Sequence, residues 1–79
     1  MMRYVVGGLT SGTATWFSLA APTKCADCER EFQAHTVMLH LKHDGGPPEA
    51  LCKRCMALGL REGILAVDHF YAPPEGSQP

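Results

Sequence analysis

The sequence predicts a small α+β fold, and three observations carry that prediction. The first is the placement of its only four cysteines, Cys25, Cys28, Cys52 and Cys55, in two Cys-x-x-Cys pairs. The second is the alternation of side-chain types in short runs bounded by Gly and Pro, the pattern of half-buried strands. The third is a change to helical spacing after Cys55, where Met56, Leu60 and Ile64 recur at every fourth position.

A chain of 79 residues makes one domain, expected at 1–72, followed by a polar, proline-rich and disordered tail at 73–79. A core of this size supplies only about 3–5 kcal/mol, so the fold needs a staple. One Cys-x-x-Cys is weak evidence, but two of them read as four thiolates converging on one tetrahedral, structural Zn2+. Such an ion adds an apparent binding energy of about 10–16 kcal/mol once its ligands are arranged. Disulfides and a thioredoxin-like redox pair are the competing readings of the same residues. Cysteines kept as thiolates imply a reducing compartment, hence the cytoplasm. Arg3 precedes an apolar-leaning stretch and Ala20-Ala21 imitates a leader-cleavage site, but Gly7, Gly8, Thr10, Ser11, Gly12 and Thr13 break any continuous apolar region. No run approaches the roughly 18 apolar residues of a membrane span.

Taken in order, residues 3–9 contain the strand formers Tyr4, Val5 and Val6, and Ser11-Gly12 reads as a turn. Residues 13–19 again read as a strand, with Thr13, Thr15, Phe17 and Leu19 alternating against Ala14, Trp16 and Ser18. These runs predict an N-terminal hairpin closed by Pro22, which has no N–H for a ladder. Cys25 to Cys28 predicts a tight knuckle with backbone amides aimed at sulfur, and Phe32 packed beneath it. Residues 36–43 form the next predicted strand, with Val37, Leu39 and Leu41 inward and Met38, His40 and Lys42 on the other face. Asp44-Gly45-Gly46-Pro47-Pro48 supplies a turn, and residues 49–51 return as a short strand. A helix then starts at Lys53, tolerates Gly59 and ends at a Gly63 cap. Cys52 and Cys55, three apart, lie on one face of its first turn. Residues 64–71 read as a last strand against the N-terminal hairpin, with a helix continuing to about Asp68 as the alternative. Knuckle, hairpin and helix in this order define a treble-clef arrangement, supplemented here by strands from both termini.

The charge balance narrows the function. Seven Lys and Arg against eight Asp and Glu give a formal net charge of −1, and four thiolates around zinc add roughly two negative charges. General DNA binders carry the opposite footprint. The one local basic group is Lys24, Arg30, Lys53 and Arg54 around the cysteines. It reads either as a solvated rim that screens thiolate charge or as a set of phosphate contacts. Trp16, Phe17, Phe70 and Tyr71 flank the cysteine unit. They read either as a small core where the terminal strands meet or as an aromatic surface offered to a partner protein.

Residues 25–59 resemble the zinc-binding half of HNH-type nucleases, particularly recombination endonuclease VII. The matching pieces are Cys25/Cys28, the strand Leu39-His40-Leu41-Lys42-His43, the turn Gly45-Gly46, Leu51-Cys52-Lys53-Arg54-Cys55 and Ala57-Leu58-Gly59. The resemblance implies a metal-dependent nuclease scaffold, but it departs at the catalytic positions. Leu39 stands where the family has the acid before its catalytic His, Met56 stands where it has Asn or His, and the chain has no Asn. Only His40 and His43 remain, with Asp44 beside them; His40 carries over as a candidate general base, and nothing carries over as the metal-holding Asn. His35, His40, His43 and His69 otherwise read as surface or partial-core residues. The expectation is a non-catalytic binding module with one structural zinc and no small-molecule substrate or membrane contact. A protein-binding adaptor or inhibitor is favoured, with a nucleic-acid-binding zinc finger and an HNH-like metal-dependent nuclease as the alternatives. From the resemblance comes the further expectation of a phage or mobile-element accessory protein acting on a host enzyme.

Overall fold

The computed structural model describes residues 2–73. The expected tail at 73–79 therefore lies outside the described residues except for Pro73.

The first two strands, β1 (Met2–Val6) and β2 (Thr10–Ser18), form the expected antiparallel hairpin. Its turn is Gly7-Gly8-Leu9, closed by Leu9 N–H donating to the Val6 carbonyl at 3.2 Å. Ser11 and Gly12, expected as the turn, lie inside β2 instead. Two short strands, β3 (Thr23–Lys24) and β4 (Glu31–Phe32), pair with each other and bracket the Cys25–Cys28 turn. A second long hairpin follows, β5 (Val37–His43) and β6 (Pro48–Leu51), joined through the Gly- and Pro-rich turn.

The one helix among the described residues, α1 (Lys53–Glu62), begins and ends where the sequence places it. Gly63 caps it in the left-handed region at φ 77, its N–H donating to the Leu60 carbonyl. After the cap the chain turns back as β7 (Leu65–Val67), antiparallel to β1. The helical alternative to Asp68 is thus excluded, and the strand is shorter than expected: Ile64 is an exposed bend and 68–73 have no regular structure.

One five-stranded antiparallel sheet results, in the order β6-β5-β2-β1-β7. Its main core gathers Met2, Tyr4, Ala14, Leu39 and Leu41 from the strands with Met56 from α1 and Leu65 from β7. Leu39 and Leu41 face this core as the alternation requires. Met38, assigned from the same alternation to the polar face, is completely buried. It joins Leu19, Cys25, Cys52 and Cys55 in a second cluster, with Phe17 and Phe32 packed against it. The knuckle and the start of α1 cover that part of the sheet, so β5 is buried on both faces there.

Candidate metal centre

The four cysteines come from three places in the fold. The knuckle presents Cys25 and Cys28, Cys52 follows the end of β6, and Cys55 lies in the first turn of α1. Their sulfur atoms all lie within 4.8 Å of one another, and the Cys28 and Cys52 sulfurs are 3.9 Å apart. All four thiols are free, and Cys28 alone of them is exposed. A zinc–sulfur bond of about 2.3 Å places the sulfurs of a tetrahedron about 3.8 Å apart, so the donor set fits one such ion.

The backbone prepares these sulfurs for charge. Asp27 N–H and Cys52 N–H both donate to Cys25 Sγ at 3.4 Å, and Cys55 N–H donates to Cys52 Sγ at 3.4 Å. This last bond makes Cys52 the N-cap of α1, the position Ser, Asp or Asn usually fills by accepting from an early helical amide. The knuckle is also tied to the sheet, because Ala26 N–H donates to the Ala50 carbonyl of β6 at 2.8 Å.

Burial alone would raise the Cys25 thiol, but the amides of Cys28, Cys52 and Asp27, together with the Cys55 thiol, bring it down to about 7. Cys52 is raised by burial, with the Cys25 sulfur adding to it. Cys55 is raised by burial and by its hydrogen bonds to the other three thiols. Burial thus favours the protonated thiol at Cys52 and Cys55, and a cation between the sulfurs would offset that.

The remaining candidate residues separate. Arg30, Lys53 and Arg54 line one groove of 460 Å³ together with Phe32, Gln33 and Thr36, whereas Lys24 lies outside it, paired across the β3–β4 ladder with Glu31. Trp16 and Phe17 are neighbours on β2 and face opposite sides of the sheet. Trp16 packs on the main core and donates from Nε1 to the Tyr71 carbonyl at 2.7 Å, while Phe17 packs on the cysteine cluster. Phe70 and Tyr71 are half exposed. The four aromatics do not form one patch, because strand alternation separates the first two.

The histidines divide in the same way. His40, the candidate base, stacks edge-on against Phe17 with ring centroids 5.3 Å apart. His35 is exposed, and His69 lies beside the Tyr71 ring. His43, expected as a surface or partial-core residue, is the networked one. The buried Tyr4 hydroxyl bonds its Nδ1, and its Nε2 lies 3.1 Å from Glu49 Oε1. The neutral Nε2–H tautomer satisfies both contacts. Only the sheet order β6-β5-β2-β1, with Gly12 of β2 between Tyr4 and His43, brings these three residues together, and no local motif announces it.

Among the described residues no helix is long and apolar enough to cross a membrane. The chain is thus a small α+β domain with a four-cysteine cluster able to hold one metal ion. Compared with known proteins, it matches no family model, no curated protein and no solved structure.

Proposed function

We propose that this chain is a zinc-stapled binding module of treble-clef type that acts as a non-catalytic adaptor or inhibitor of a partner protein. The observation that carries the metal assignment is the convergence of four cysteine sulfurs within 4.8 Å, free of disulfides. Four thiolates complete a zinc shell and leave no open position for substrate, which makes the ion structural. The order of knuckle, β5–β6 hairpin and α1 follows the treble clef, and a thiolate site of this kind belongs to a reducing compartment.

The non-catalytic reading is supported by the positions where the resembling nucleases keep their catalytic groups. Leu39 is completely buried and Met56 is 2% exposed, both within the main core. These positions pack the sheet against the helix and present nothing to solvent.

Protein binding is supported by a second groove, of 300 Å³, between α1 and the β5–β6 hairpin. Leu41, Leu51 and Leu65 contribute to its lining, the half-exposed Leu58 and Ile64 border it, and Asp27, Glu49 and Glu62 add acidic groups. Such a surface suits an apolar anchor flanked by basic residues on a partner chain. The reading is tested by affinity capture from the native host with wild-type and variant proteins. The expected result is one partner retained by the wild type and by Leu9→Glu, which alters an exposed side chain outside the groove, but released by Leu58→Glu. Equal retention by Leu58→Glu would refute this assignment of the surface.

A further inference from the structure

We propose that the groove beside the first residues of α1 binds single-stranded nucleic acid, with Arg30, Lys53 and Arg54 on its phosphates and Phe32 beneath a base. This site is separate from the partner groove, and the inference does not depend on that assignment.

Cations from two stretches distant in sequence meet here because β4 and the start of α1 both border the cysteine cluster. Arg30 comes from the end of the knuckle, and Lys53 and Arg54 are the first two residues of the helix. The Arg30 guanidinium lies 5.7 Å from the centroid of the half-buried Phe32 ring. Gln33 and Thr36 add neutral hydrogen-bonding groups, and Glu31 is the single acidic residue of the lining. Neither Arg30 nor Arg54 forms a salt bridge among the described residues.

The overall charge of −1 does not oppose this site, because the charges are segregated. Asp27, Glu49 and Glu62 line the other groove, whereas this one gathers three cations with one carboxylate at the edge of the cysteine cluster. The combination of cations with an aromatic ring selects the occupant. A bare phosphate has no use for Phe32, and a duplex keeps its base faces within the stack. A single strand offers an anionic backbone and unstacked bases together. The volume of 460 Å³ falls in the range of small-ligand sites, about 300–1,000 Å³.

The test is fluorescence anisotropy of the metal-replete protein with labelled single-stranded DNA, single-stranded RNA of the same sequence, and the corresponding duplex. Single strands should bind best, with the DNA and RNA arms deciding which is preferred. Three phosphate contacts give a slope of about −2 in log affinity against log salt, so raising salt from about 50 to 200 mM should weaken binding about 20-fold. Arg54→Glu, at an exposed position, should lower affinity at least about tenfold, while Lys24→Glu should leave it unchanged. Phe32→Leu should cost about 5-fold or more, read only on protein that keeps its metal content and circular dichroism. Absence of binding at low salt, indifference to Arg54→Glu, or equal affinity for duplex would each overturn the proposal. Full competition by inorganic polyphosphate at equal phosphate concentration would also overturn it, by showing a site for phosphate alone.

Discussion

Replacing Tyr4 by Phe isolates the polar network that ties β1 to the β5–β6 hairpin. Tyr4 is 1% exposed, and its hydroxyl bonds His43 Nδ1 while His43 Nε2 contacts Glu49. Phe keeps the ring and its packing, so the loss is confined to the hydroxyl. A hydrogen bond contributes about 0.5–1.5 kcal/mol, and a donor or acceptor left unpartnered in a part-buried site adds to the penalty, giving about 1–2 kcal/mol. In a domain of this size each kcal/mol corresponds to about 4–8 °C in Tm. Burial raises the Tyr4 phenol above its ordinary 10.0, and Glu49 and Asp44 raise it further against the opposing effect of Arg3. The folded state thus favours the protonated phenol. Its contribution is complete below the unfolded value near 10 and is lost as pH rises through the higher folded value. Urea denaturation of the metal-replete protein should show wild-type stability declining above pH 10 and a flatter profile in Tyr4→Phe. A loss below about 0.3 kcal/mol at neutral pH, or an unchanged alkaline decline, would refute the network's role.

Other perturbations separate the helix cap from the staple. Gly63→Ala should cost about 1–2 kcal/mol in chemical denaturation, because Gly63 holds φ 77 and a Cβ there meets no atom within 4 Å, leaving only the backbone penalty. Cys52→Ser should lose metal and unfold at 25 °C, since it removes a ligand while the Ser hydroxyl can still cap α1, so the loss reports on the metal and not on the cap. Far-ultraviolet circular dichroism with and without added zinc reads this directly, and a stably folded, metal-free Cys52→Ser would contradict the staple.

The parts legible in the sequence are those set by local chemistry. The knuckle, the helix start at Cys52, the Gly63 cap and the turn after Asp44 each depend on residues within a few positions of one another. Turn placement in the first hairpin was less legible because two glycine-containing segments compete. Gly12 belongs to β2 for a reason only the tertiary structure supplies: a Cβ there would lie 2.1 Å from the Lys42 carbonyl oxygen of β5. Met38 was misplaced because alternation identifies faces but not what covers them, and cysteines remote in sequence cover its face. The network on His43 was illegible for the same reason, as its partners come from strands β1 and β6. The basic groove was half legible. Its residues stood out by their proximity to the cysteines, but the exclusion of Lys24 and the inclusion of Phe32 follow from the pairing of β3 with β4 and the placement of α1.

Native mass spectrometry of the chain as purified, with elemental analysis of the same sample, tests the central claim most directly. The account predicts one zinc per chain, released together with folded structure when a strong chelator is added. A folded chain carrying no metal and two disulfides, or one whose structure survives complete metal removal, would contradict it.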